Sequence, residues 1–247
     1  MHYLKALTLL FDIGGIYLLV RILRHFKIKE DNVFFVLFNI AYIYITLFWA
    51  QIDSIHTFFI LSSIWLLLRK RPTLSSISLV IAFNFKLQTI IFIPLWILLF
   101  IPQLMKKKRN ILKVLIAVIL TELIIISPYI YTGHVTEYIN IAKGAVDYFQ
   151  ILSMHAFNLW YVVFGPIARW TADTGTFIGI TYKSWGFLMF IITSFITYFP
   201  LLHILIRKLK HKSDEFTMSE SKMIFLVMVL TILNFFYFNT QMHERYL

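Results

Sequence analysis

Long apolar runs separated by short basic clusters constrain this chain more than any other feature. The runs reach or approach the roughly 20 residues that an α-helix needs to cross a bilayer. Hydrocarbon offers no water to bond exposed N–H and C=O groups, so spanning segments are helices or closed barrels. Barrel strands alternate apolar and polar residues over about ten positions, and these runs neither alternate nor stop so soon. The expected fold class is therefore all-α, a polytopic integral membrane helical bundle forming a single transmembrane domain over 1–247. Composition agrees: 60% of the residues are hydrophobic, where a soluble domain holds about 45–50%.

Hydropathy predicts about eight membrane segments, at 4–23, 33–49, 54–68, 74–86, 88–105, 111–127, 184–206 and 220–239. The third and fourth are short for independent spans and would need to extend into the polar residues at their ends. Basic residues set the orientation. Arg21, Arg24, Lys27 and Lys29 follow the first segment, and Arg69, Lys70 and Arg71 the third. Lys106, Lys107, Lys108, Arg109 and Lys113 follow the fifth, and Arg207, Lys208, Lys210 and Lys212 the seventh. Cytoplasmic loops collect Lys and Arg, so every second loop is placed in the cytoplasm. The net charge of +11 then belongs to loops and lipid headgroups, and no nucleic-acid partner is expected. With no cysteine in the chain there is no disulfide framework, thiolate metal site or thiol nucleophile.

Alternation puts the unusual polar residues on the other, non-cytoplasmic face. These are Trp49 to His56, Phe85 to Gln88, the stretch 128–183, and Met242 to Leu247. Trp49, Tyr129, Trp160, Trp170, Tyr182, Trp185, Tyr237 and Tyr246 fall near that interface, where amphipathic rings settle. The stretch 128–183 is too long for a plain connection. Within it, Ile151 to Val163 is apolar and aromatic but too short to span, and predicts an interfacial or re-entrant helix roofing an outer cavity.

Several residues there can carry chemistry. If a helix begins near Asp53, then Asp53 and His56 share a face at i, i+3, and a carboxylate with an imidazole can orient a hydroxyl or take its proton. Helix capping by Asp53 or Ser54 explains one of these residues, but not Gln51 and His56 as well. Lys86 interrupts an apolar run and is followed by Gln88; it either snorkels to headgroups or offers a point charge to phosphate. His243, Glu244 and Arg245 supply a titratable ring, an acceptor and a fork of donors suited to phosphate, or else form an interfacial charge cluster. Asn158 and Trp160 offer an amide and a stacking ring. Glu122 lies mid-helix with no partner evident, and Asp12 sits beside Gly14 and Gly15, which suit close helix packing. No nucleotide-binding signature and no His/Cys metal pattern occurs. No cofactor is expected, and an activated donor would arrive from the lipid phase.

Four motifs carry a family resemblance. Trp49-Ala50-Gln51-Ile52-Asp53-Ser54 resembles the W-G/A-Q-x-D-S stretch of GT-C glycosyltransferases that use polyprenyl-phosphate sugars. Arg69-Lys70-Arg71-Pro72 followed by Phe85-Lys86-Leu87-Gln88 resembles their R-K-R-P…K-x-Q span, and Asn158-Leu159-Trp160 their N-L-W. Thr240 to Leu247 is similar to their T-x-M-H-E-R-Y-L end. The likeness is greatest to mannosyltransferases similar to GPI mannosyltransferase II, and smaller to the dolichyl-glucosyltransferase group. It implies inverting transfer of a sugar, mannose first among candidates, from dolichyl or undecaprenyl phosphate to a hydroxyl of a glycan, lipid or protein acceptor. Lys86, His243 and Arg245 would hold the lipid phosphate. Gln51, His56, Gln88, Asn158, Trp160 and Glu244 would bind or orient sugar and acceptor, and Asp53 is the candidate catalytic base. The resemblance places a first helix, and an acidic outer loop that carries the family's catalytic base, before Met1, and further helices after Leu247, so that the chain is a fragment and Asp53 is the candidate base only among the residues it contains. The implied location is a bacterial or archaeal plasma membrane, or the endoplasmic reticulum of a eukaryote. Two other classes stay open: a transporter or lipid flippase, which would need more polar residues at mid-span, and a non-catalytic membrane subunit.

Overall fold

The structure, a computed structural model, describes residues 2–39, 53–106, 109–144, 149–211 and 217–243. It is mostly helical. The described chain falls into two compact units, one of residues 1–135 and 208–221, the other of 136–207 and 222–247.

In the first unit α1 (His2–His25) is an apolar helix with Arg24 and His25 in its last turn, where cations suit the negative end of the helix. Arg24 pairs with Glu30 just beyond it. A 3-10 turn (Glu30–Asn32) leads to α2 (Val33–Leu37). This short helix and residues 38–39 are what is described of the expected 33–49 segment, whose residues 40–49 lie outside the described residues. Next come α3 (Asp53–Leu68) and α4 (Pro72–Phe85), then a 3-10 turn (Leu87–Phe92), α5 (Ile93–Lys106) and α6 (Arg109–Thr132).

Three of these helices stop in the same way. The residue after the last turn adopts a left-handed backbone, and the next N–H reaches back five residues. Ile28 N bonds Leu23 O at 2.9 Å, Arg71 N bonds Leu66 O at 2.9 Å, and His134 N bonds Tyr129 O at 2.8 Å. The left-handed residues are Lys27 (φ 55°), Lys70 (φ 58°) and Gly133 (φ 76°). After Lys70, Pro72 opens α4 at a position where its missing N–H is no loss.

The tight turn at 69–71 folds α3 and α4 into an antiparallel hairpin. Ser63 Oγ and Ser75 Oγ lie 3.1 Å apart, each hydroxyl also donating to the other's carbonyl, and Ser62 Oγ is 3.4 Å from Ser78 Oγ. Trp96 Nε1 of α5 donates to Ser75 Oγ at 2.7 Å. Small hydroxyl residues let apolar helices approach and bond across the interface. Phe58 of α3 lies so near Gly14 of α1 that a Cβ there would meet it at 2.8 Å.

The second unit holds α7 (Val135–Gly144), β1 (Ser153–Met154), α8 (Leu159–Phe164), a 3-10 turn (Gly165–Arg169), and the hairpin β2 (Thr176–Phe177) and β3 (Ile180–Thr181). It also holds most of α9 (Tyr182–His211) and α10 (Met218–Phe238), and β4 (Met242–His243). Thr231 Oγ1 bonds Tyr198 Oη at 3.1 Å and Asn234 Nδ2 donates to Thr197 Oγ1 at 2.9 Å, joining α9 to α10.

One expectation is met in part and one needs correction. Of the eight expected spans, four described helices, α1, α6, α9 and α10, are long and apolar enough to cross a membrane; α3 and α4 have 16 and 14 residues, short of the usual span. The helix expected over Ile151 to Val163 forms only at Leu159–Phe164. Its first half is extended. Ile151 bridges Ala172, and Ser153–Met154 pairs in parallel with Met242–His243. Left-handed His155 (φ 58°) breaks the backbone there, and Asn158 starts the helix by accepting from Tyr161 N at 3.1 Å.

Candidate functional site

The α3–α4 hairpin explains the first group of polar residues. Both helices are joined by a short turn and are of similar length. The start of α3 and the end of α4 therefore arrive at the same place. Asp53, the first residue of α3, meets Lys86, where the chain turns extended (φ −156°, ψ 119°) after α4. Lys86 Nζ lies 2.7 Å from Asp53 Oδ1, with the two side chains 24% and 29% exposed.

One turn along α3, His56 Nε2 lies 2.8 Å from Thr89 Oγ1. Thr89 is fully buried and its hydroxyl donates to Lys86 O at 2.8 Å. The imidazole is thus tied to the same backbone turn that carries Lys86. Gln88 lies within that turn and is half-buried. The structure so brings together Asp53, His56, Lys86 and Gln88, and adds Thr89, which sequence reasoning did not single out. An ordinary threonine in an apolar run gives no signal until its partner is known. Glu122 also finds a partner, Asn84 Nδ2 donating to its Oε2 at 2.8 Å.

The second unit contains a separate polar group built around the end of α10. Asn158 is fully buried, and its Nδ2 donates to Asn239 O at 3.1 Å. Trp160 is 5% exposed, and its indole N–H donates to Phe238 O at 2.8 Å. Buried and bonded in this way, neither presents a polar atom to a sugar; both hold the backbone that leads to His243. Trp160 is buried within its unit, whereas Trp170 is 80% exposed. Gln241 N bonds Ile151 O at 3.0 Å, and β4 then pairs with β1. Asp173, which sequence reasoning passed over, accepts from Thr240 Oγ1 at 3.1 Å and from Gln241 Nε2 at 2.7 Å. An acid in a Gly- and Thr-rich loop reads as a turn residue, so nothing in the sequence marked it.

His243 closes β4. Gln51, Glu244 and Arg245 lie outside the described residues. Among the described residues no group of three or more His, Asp or Glu gathers as metal ligands would. Comparison with protein-family models, curated proteins and solved structures finds no match to this chain.

Proposed function

We propose that this protein is a membrane glycosyltransferase of the GT-C type, a mannosyltransferase first among candidates. It would pass a sugar from a polyprenyl-phosphate donor to an acceptor hydroxyl at the non-cytoplasmic face. The observation that carries this reading is the Asp53–Lys86 ion pair with His56 and Thr89 beside it, at the open end of an apolar helix hairpin. The leaving group of such a transfer is a lipid monophosphate. A lysine ammonium placed at the edge of an apolar surface suits an anion whose tail is hydrocarbon.

The same geometry suggests how the reaction would run. The donor phosphate competes with Asp53 for Lys86. Asp53, released, accepts the proton of the acceptor hydroxyl, aligned by His56. The acceptor oxygen bonds the anomeric carbon from the face opposite the phosphate. The anomeric C–O bond breaks, its electron pair leaves on the phosphate, and Lys86 meets the developing charge. The resemblance separately implies phosphate-binding roles for His243 and Arg245, and sugar- or acceptor-orienting roles for Gln51, Gln88 and Glu244.

The eight-crossing topology belongs to this proposal and rests on the alternation of basic loops. At about 1.5 Å rise per residue, α3 and α4 reach across most of the hydrocarbon, which leaves Asp53 and Lys86 near its outer edge.

In membranes carrying the full-length protein and a radiolabelled polyprenyl-phosphate mannose, Lys86→Met should lower transfer by about 100-fold or more while the protein still resists alkaline extraction. Arg245→Met should do the same. Normal transfer by either variant sinks the reading. A transporter remains the second reading, favoured by the Asn84–Glu122 pair between apolar helices. It predicts movement of a labelled lipid across reconstituted vesicles without sugar transfer, abolished by Glu122→Gln.

A further inference from the structure

Asp173 is fully buried, and neither the proposed transfer nor the resemblance uses it. Its backbone is pinned on both sides, Asp173 N bonding Gln150 O at 3.3 Å and Lys183 N bonding Asp173 O at 3.1 Å. Its Oδ2 accepts from Thr240 and Gln241, while Oδ1 is buried with no hydrogen-bond partner among the described residues. A polar side chain so placed is costly unless the bonds it makes are needed. The conformation of Gln241 supplies a reason. Gln241 has φ 63°, the left-handed region, without being glycine. Such a residue persists only where its surroundings hold it. Its N–H is held by Ile151 O, and its side chain by Asp173. This left-handed residue is what turns the chain from the end of α10 into β4.

We propose that Asp173 is a positioning residue: it locks the left-handed turn at Gln241 and so fixes the register of Met242–His243 against Ser153–Met154. Asn158 and Trp160 hold the backbone carbonyls of Asn239 and Phe238, just before the turn; Asp173 alone among these side chains takes the side chains of the turn itself. On the reading above, in which His243 and the residues after it grip the lipid phosphate, Asp173 thereby sets the aim of the phosphate-binding end.

Residues 1–247 have no cysteine, so in the full-length protein, with any cysteine outside this stretch changed to serine, Met242→Cys places a single thiol where the native side chain is 5% exposed. Its rate of labelling by a water-soluble maleimide reports opening of the turn. Adding Asp173→Ala should speed labelling by about tenfold, the effect of leaving one buried and one half-buried donor without their acceptor. Asp173→Asn, which keeps an oxygen for both donors, should restore a rate near that of the parent. An unchanged rate in Asp173→Ala, or an Asp173→Asn rate equal to it, overturns the proposal. If Asp173→Ala does not accumulate in membranes, Thr240→Val with Gln241→Leu removes the same bonds from the other side, and unchanged labelling there overturns it equally. Binding of farnesyl phosphate is measured in parallel. Asp173→Ala should weaken it by about tenfold, as expected when a charge-assisted contact is misplaced; unaltered binding despite faster labelling overturns the link to phosphate. A parent protein that does not bind farnesyl phosphate overturns the phosphate reading alone, since the labelling rates do not depend on it.

Discussion

A lysine at the end of an apolar helix needs a counter-charge, and Asp53 provides it for Lys86. Each residue is visible in the sequence as a polar interruption, but the pairing depends on the α3–α4 hairpin. A more deeply buried pair, Lys208 Nζ to Glu220 Oε2 at 2.8 Å with each side chain 6% exposed, ties the end of α9 to the start of α10. Glu220 also accepts from Thr217 N at 2.7 Å, while its own N–H donates to Thr217 Oγ1 at 3.3 Å, the reciprocal box that caps a helix start. The Lys/Arg run that includes Lys208 reads in sequence as a solvated loop, and for this lysine that reading is wrong: its carboxylate partner comes from the next helix. Removing one partner, as in Lys208→Met, should cost about 3–5 kcal/mol, and Lys208→Met with Glu220→Leu much less, since a buried charge is no longer stranded. Unfolding by titration with SDS compares the two. Equal losses would show that the pair itself, not the stranded charge, carries the stability.

At the scale of elements, helix ends carry the clearest sequence-to-structure logic. Gly133 in the left-handed position is what an α-helix end prefers, but Lys27 and Lys70 occupy the same position after α1 and α3. A side chain there is strained where glycine is not. Lys70→Gly should therefore raise stability by about 0.5–1 kcal/mol, read as a higher melting temperature in detergent. Gly186 on α9 is the opposite case. A Cβ there would meet Phe238 O at 2.6 Å, and a backbone carbonyl cannot step aside as a flexible side chain can. Gly186→Ala should cost about 1–3 kcal/mol and loosen the turn that follows α10; no change in melting would refute this close approach. The misread element, Ile151 to Val163, shows where local pattern fails. Its apolar and aromatic residues suit a helix or a strand, and the choice is made by Met242–His243, which lies far along the chain and offers a strand partner.

At the scale of the molecule, each of the four long helices exposes large apolar side chains. On α6, Leu112 is 60% exposed and Ile124 70%, a surface unsuited to water and ordinary against lipid. The topology that the basic loops predict can be tested with single cysteines in this cysteine-free chain. Lys70→Cys should be labelled by an impermeant maleimide only in inverted vesicles, and Gln150→Cys only in right-side-out ones; both reacting from one side would undo the eight-crossing topology.

The sequence by itself determined the helical class, the apolar lengths of the segments and the residues with chemistry to offer, because backbone satisfaction in lipid and hydrophobic periodicity are local properties. The tertiary structure decided which of those residues meet. Asp53 finds Lys86 and His56 finds Thr89 because a short turn makes a hairpin. Asp173 finds Gln241, and Asn158 and Trp160 turn inward to backbone carbonyls, because a parallel strand pairing joins stretches some 90 residues apart, a separation that no local pattern reports.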